Sequence, residues 1–188
     1  MENLSSWAYG IAKDELADNL PRRWKHVQSV ARRVDFASIV VGEDSNFLIA
    51  SALLHDIGYA PRLASTGFHP LDGARFLREQ GAPLRLCGLV AHHSCAYKEA
   101  ELRSLSAELS EWVDEETVLR DALWWADMTT TPDGDLTNVH DRIEEIQKRY
   151  GPEDLVTFFI RQAKPELVAA VERTEERLRA AGVDYTAK

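Results

Sequence analysis

The apolar positions of this chain recur at helical spacing almost throughout, in short blocks closed by turn residues. A block capped by Ser5 or Ser6 and running to Leu16 predicts a first helix. Pro21 suits the first turn of a second, whose Trp24, Val27, Val30, Ala31 and Val34 follow at helical intervals. Glu43 to Ile57 predicts a third, apolar enough to be buried, with Gly58 just past it as a left-handed stop. The segment 58–70, GYAPRLASTGFHP, carries two Gly and two Pro and reads as a loop. Helices are predicted again over Asp72–Glu79 and Leu84–His93, with a connection over Ser94–Glu101. One or two more fall between Ser104 and Met128, broken near Val113-Asp114, where Glu115 and Glu116 suit a helix start. A turn at 129–135, TTTPDGD, precedes helices over Asn138–Tyr150 and about Pro152–Ala181, the last bent near Pro165. No stretch alternates as a strand would, so the reading is an all-α, compact helical bundle.

Composition narrows this picture. A chain of 188 residues is read as a single domain, 1–188, large enough to bury a core without covalent staples. Its 45% hydrophobic against 28% charged residues is the ordinary balance of a globular protein. The formal charge of −9 argues against a nucleic-acid polymer as partner, since backbone binding needs clustered Lys and Arg. A small anionic substrate remains compatible, because a local cation can reverse the field in a cleft. Two cysteines, Cys87 and Cys95, imply no disulfide framework and suit a reducing, cytoplasmic setting. The N-terminal residues Met1-Glu2-Asn3-Leu4 do not resemble a signal peptide, and no apolar run reads as a membrane span.

The polar residues inside apolar blocks carry the chemistry. His55 and Asp56 follow Ile49-Ala50-Ser51-Ala52-Leu53-Leu54 directly, and Asp127 follows Ala122-Leu123-Trp124-Trp125-Ala126. His26 lies within the second helix, His69 closes the Gly/Pro loop, and His92-His93 end the block LVAHHS. Neighbouring residues of a helix point about 100° apart, so His55 and Asp56 satisfy one another poorly yet can reach one ion beside the helix end. Singly, each is more simply a hydrogen-bonded core residue or, for Asp127, a cap or salt bridge. Together they would need several separate buried partners, which one metal centre replaces. Imidazole and carboxylate without thiolate favour Fe, Mn, Zn, Co or Ni, and bundles build such sites from several helices.

In order, His26, then His55-Asp56, then Asp127 resembles the H…HD…D signature of the HD-domain superfamily of metal-dependent phosphohydrolases, and HDIG is the spelling of its central motif in one subset. FHPLDGARFL and LVAHHS resemble further elements of that family, so the likeness runs from about Arg23 to Asp127, within a motif core of about 20–130. The resemblance implies one metal held by His26, His55, Asp56 and Asp127. It implies a second held by His69 and His92, with Asp56 bridging. His93 is either a further ligand or a hydrogen-bonding residue beside them. Arg23, one helical turn before His26, is a candidate for a substrate phosphate oxygen, and Lys25 a weaker one. Where relatives carry a Lys after the HD pair this chain has Tyr59, and Tyr59 or Arg62 is the expected substitute. Thr130 and Asp133, in the loop after Asp127, are read either as an ordinary polar turn or as cleft residues.

The function implied is hydrolysis of a small phosphorylated metabolite, a nucleotide by family habit, by metal-activated water. Two divalent metals about 3.5–4 Å apart can clamp a phosphate without a protein nucleophile, which suits a chain with no P-loop and no activated Ser or Cys. Two other readings stay open: a di-iron oxygenase cleaving a C–P or C–C bond, and a non-catalytic nucleotide-binding domain. Trp124 and Trp125 read as packing residues rather than a stacking platform. The C-terminal helices, 138–188, either cover the core or form a homodimer face.

Overall fold

The computed structural model describes residues 3–186, and among them the structure is helical with no strand; one isolated bridge joins Thr130 and Leu136. The elements are α1 (Leu4–Leu16), α2 (Pro21–Val34), α3 (Ser38–Val41), α4 (Ser45–Leu54), α5 (His69–Glu79), α6 (Leu84–Ala91), α7 (Ala96–Arg103), α8 (Ser106–Leu109), α9 (Val118–Met128), α10 (Val139–Tyr150) and α11 (Leu155–Ala180). Short 3₁₀ turns sit at Asp35–Ala37, Gly42–Asp44, Ile57–Tyr59 and His93–Cys95.

Local chemistry sets most boundaries. Asn3, rather than Ser5 or Ser6, caps α1 by accepting from the Ser6 N–H at 3.2 Å. Asn138 caps α10 by accepting from the backbone N–H groups of His140 and Asp141, both at 3.0 Å. Pro21 opens α2 as expected, and Pro165 lies inside α11. Two expectations fail here. The connection read over Ser94–Glu101 is largely helix α7, because the break is confined to Ser94 and Cys95, both at positive φ. Helix α5 begins at His69 rather than Asp72, because Asp72 folds back to accept from the backbone and hydroxyl groups of Ser65 and Thr66 and so ties the preceding loop down.

The stretch 21–59 also contains a window of mean hydropathy 1.3, long and apolar enough to cross a membrane by composition alone, against the expectation that no apolar run reads as a membrane span. Gly42 at φ +62° and the 3₁₀ turns divide that stretch into α2, α3 and α4.

Helix α4 is buried between two apolar clusters. Leu48 and Ala52 join Trp124, Trp125 and the α11 residues Ala163, Leu167 and Ala170, whereas Ala50, Leu53 and Leu54 pack with α1, α5 and α6. Burial of both faces is why its sequence lacks an amphipathic stripe. Helix α9 packs against α2, α4 and α11, and both of its tryptophans are fully buried, as packing residues. The C-terminal ends of α4, α6 and α9, the N-terminal end of α5 and the middle of α2 meet at one place, the site described next.

Candidate metal centre

Two of the convergent histidines are aimed by the same device. At the end of α4 the His55 ring folds back so that its Nδ1–H donates to the Ala52 carbonyl at 2.8 Å. After α6, His93 does the same to the Val90 carbonyl at 2.7 Å. Each bond satisfies an orphan carbonyl of a final helical turn and turns Nε2 toward the cluster. In α2, His26 Nδ1–H donates to the Thr131 carbonyl at 2.9 Å, which likewise points Nε2 inward. Backbone carbonyls thus fix three ring orientations, the arrangement that aims metal-ligating imidazoles.

The carboxylates complete the cluster. Asp56 Oδ2 lies 3.4 Å from His55 Nε2 and 3.8 Å from His26 Nε2. Its Oδ1 lies 3.3 Å from His69 Nε2 and 3.8 Å from His93 Nε2. Asp127 Oδ1 is 3.2 Å from His26 Nε2 and 3.8 Å from His55 Nε2, while its Oδ2 accepts from the Ser94 hydroxyl at 2.6 Å. Two ligand sets follow, His26 with His55 and Asp56, and Asp56 with His69 and His93, so Asp56 belongs to both.

Ring nitrogens of the cluster are left without ordinary partners. His55 Nε2 is buried with no hydrogen-bond partner. His69 Nε2 and His93 Nε2 face one another at 3.1 Å, and two ring nitrogens so close require a proton on one of them or a cation between them. The donor set, four imidazole nitrogens and two carboxylates, fits a divalent transition metal of borderline character.

The electrostatics agree. Burial would raise the Asp56 carboxyl, but Arg23 and His55 outweigh it and hold the group well below the usual carboxylate range. Burial opposes ionisation of Asp127 too, and the hydrogen bond from His26 with the nearby His55 charge depresses it below its ordinary value. His55 is pulled the other way: burial lowers it, yet Asp56 and Asp127 raise it to about 9. Burial beside His69 and His55 lowers His93 to about 3, so it stays neutral.

The expected site residues therefore separate. The structure brings His26, His55, Asp56, His69 and Asp127 together, and it exchanges the two histidines of LVAHHS. His92, expected as a ligand, turns away and meets the Trp112 carbonyl through Nε2 at 3.0 Å, whereas His93 faces Asp56. The reason is the helix end: α6 stops at Ala91, and the turn after it swings the second ring, not the first, over the cleft.

Arg23 does reach the cleft wall. Its Nη1 donates to Asp56 Oδ2 at 2.6 Å and its guanidinium lies 4.1 Å over the Tyr59 ring, which in turn stacks on His69 at 3.9 Å. The remaining candidates do not. Arg62 pairs with Glu15 on the far side of its loop, Lys25 is exposed on the outer face of α2, and Asp133 binds Arg22 at the surface at 2.8 Å. Thr130 is buried with its hydroxyl on the Ala126 carbonyl at 2.8 Å. Gly58 also has a different role from the left-handed stop expected of it. Its φ is not positive; a Cβ there would sit 2.0 Å from the His69 carbonyl oxygen and 2.7 Å from the Gly73 nitrogen.

Four contributors carry no signal of their role in the sequence. Ser94 orients Asp127 from a left-handed conformation, φ 49°, that nothing in its residue type announces. The Thr131 carbonyl is a backbone atom and has no sequence signal. Arg142 and Arg149 of α10 line the cleft above the cluster together with Ile146 and the α11 residues Phe159 and Ile160. Their helical spacing with Ile146 was visible, but not what it faces.

Among known proteins, the family model described as HD domain matches residues 23–145, which is more than half of the chain. No curated protein and no solved structure matches it.

Proposed function

Because the chain belongs to the HD domain family, we propose that it is a metal-dependent phosphohydrolase acting on a small phosphorylated metabolite, with a nucleotide as one candidate class. The observation that carries this reading is Asp56, whose two oxygens face separate sets of imidazole nitrogens, His26 with His55 and His69 with His93. These residues and Asp127 would hold the ions. Bound divalent cations supply Lewis acidity toward phosphoryl oxygens and make a water acidic enough to act as nucleophile near neutral pH.

The chain's own groups do the rest. Asp56, kept ionised, and Asp127, steadied by Ser94, supply the negative charge that retains cations in a buried place. The neutral His93 offers Nε2 without first losing a proton. Arg23 places a guanidinium on the cleft wall, where a phosphate oxygen can replace the Asp56 carboxylate as its partner. Tyr59, pushed well above its ordinary value by burial and the Asp56 charge, stays protonated and presents a phenol beside it. In the net reaction the bond from phosphorus to the leaving oxygen breaks, the water oxygen joins phosphorus, and the leaving oxygen takes a proton.

The test is metal analysis of freshly purified protein alongside phosphate release from a panel of phosphomonoesters and nucleotides after loading with Mn, Fe or Co. About two metals per chain with phosphate release, both lost in Asp56→Ala at unchanged helical content, is the expected result. Turnover retained in Asp56→Ala overturns it. Iron with oxygen uptake and no phosphate release would make the protein an oxygenase, and neither metal nor turnover would leave a binding domain.

A further inference from the structure

The cleft over the cluster adjoins a second hollow, and two arginines line both. The inner part encloses about 80 Å³ between the His/Asp cluster and the inner face of α10 and α11. That is smaller than the ~150 Å³ cavity that admits benzene, so it suits a phosphoryl group and little more. Beyond it lies a hollow of about 260 Å³ walled by Asn19, Leu20, Pro21 and Pro132. The two share Arg23 of α2 and Arg149 of α10. A substrate with its phosphoryl group at the cluster and its body in the second hollow would therefore be bordered by these two residues.

A third lies on the inner wall. Arg142 occupies the face of α10 otherwise made of Val139, Ile143 and Ile146, and it is only 5% exposed. It bonds Glu145 through Nη1, yet its Nε is buried with no hydrogen-bond partner. Arg149 meets the same Glu145 through Nε at 3.3 Å, so one carboxylate is shared between two cations. The other acids nearby are spoken for: Glu99, on the inner wall, is held by Arg103 at 2.7 Å, and Asp133 outside by Arg22 at 2.8 Å. Arg23 is committed to Asp56 at 2.6 Å, so the local excess is one cation, Arg142 and Arg149 against the single Glu145, with the Arg142 Nε left over as a donor.

We propose that Arg149, with Arg142 behind it and Arg23 opposite, forms a second anion subsite, so that the substrate carries another anionic group, a phosphate or a carboxylate, next to the phosphoryl group hydrolysed. This rests on the phosphohydrolase reading. A substrate with a single phosphate and a neutral body would leave the buried Arg142 Nε without a partner and Glu145 shared between two cations.

The experiment is calorimetric titration of the Mn-loaded protein with inorganic phosphate and with pyrophosphate, the metal content being measured again afterwards. Pyrophosphate should bind about tenfold more tightly than phosphate, the difference expected of one or two added charge-assisted hydrogen bonds. Arg149→Gln should erase that preference with phosphate affinity and metal content unchanged, and Arg149→Lys should keep most of it. Arg142→Gln, which risks the fold, is read only alongside its melting temperature. Equal affinity for the two anions in the parent protein overturns the inference, as does an Arg149→Gln variant that retains the preference or weakens both anions alike. If the parent protein binds neither anion and hydrolyses no phosphoester, the phosphohydrolase reading fails first. Comparing turnover of an alkyl diphosphate with that of a phosphorylated carboxylic acid then separates the two sources of the second charge.

Discussion

His93 Nε2 stands 3.1 Å from His69 Nε2, while its neighbour His92 points its Nε2 at the Trp112 carbonyl, 3.0 Å away. Adjacent residues of one motif thus have unlike duties. Removing the first takes a ligand from the set shared by Asp56 and His69; removing the second takes a bond between α6 and the segment before α9.

His93→Ala should accordingly lower the metal content by about one ion per chain with little change in melting temperature of the metal-free protein. His92→Ala should leave the metal content intact and destabilise the fold by about 1–3 kcal/mol, the usual cost of unpairing a buried carbonyl and opening a space. Elemental analysis and a thermal melt on both variants check this. The reverse assignment of effects would restore His92 as the ligand.

Gly58 governs how close the turn Ile57–Tyr59 comes to α5. Since an added Cβ would overlap the His69 carbonyl and the Gly73 amide, both backbone atoms with no freedom to rotate away, Gly58→Ala must push the first turn of α5 off the turn that carries Asp56. A loss of about 3 kcal/mol is expected from such overpacking. His69 should move with its backbone, so the variant should also bind the ion of the His69–His93 set more weakly than that of the His26–His55 set. Two-step metal titration with chemical denaturation measures both.

The pH dependence follows from His55. Burial lowers its pKa, but the Asp56 and Asp127 charges dominate and bring it to about 9, above the ordinary 6.5. A raised pKa means that the folded, metal-free protein binds this proton more tightly than the unfolded chain does. Its contribution to stability is therefore complete below about pH 6.5 and is lost as pH rises through about 9. A metal at His55 must displace the same proton, so binding between pH 7 and 8 should release about one proton per chain from this residue, and apparent affinity should rise with pH. Calorimetry in buffers of different ionisation enthalpy counts the protons. Melting temperatures of the metal-free protein should fall between about pH 6.5 and 9 and level off above that, and a flat profile would mean that His55 is neutral throughout.

What could be read from the chain and what could not divide along physical lines. Helix existence followed from apolar spacing in α2, α9 and α10, and the buried α4 was visible as an unbroken apolar run. The order of His26, His55-Asp56, His69 and Asp127 was also legible, because polar side chains in apolar blocks are costly and so conspicuous. The choice between His92 and His93 was not, since it depends on where α6 stops, and Ser94 and Cys95 enter the left-handed region without a glycine to announce it. Arg62 and Asp133 misled for a related reason: each finds an opposite charge, Glu15 or Arg22, that is distant in sequence and on a different helix. Spacing along a helix shows which residues share a face, but not what that face meets.

Arg23 offers the sharpest test of the cleft itself. In this structure its guanidinium is held between the Asp56 carboxylate, at 2.6 Å, and the Tyr59 ring, at 4.1 Å, and its side chain remains about one-fifth exposed toward the cleft. Two roles are separable. If Arg23 serves only to neutralise Asp56 until cations arrive, Arg23→Ala leaves KM unchanged and merely lowers the metal-free melting temperature. If it also receives a phosphate oxygen of the bound substrate, losing it removes one charge-assisted bond formed equally in the ground and transition states. The expected result is a KM raised about tenfold or more with kcat nearly constant. Arg23→Lys should recover part of the loss, because it restores the charge but not the planar fork. Steady-state kinetics at saturating metal distinguish these outcomes, and an unchanged KM would assign Arg23 to the carboxylate alone.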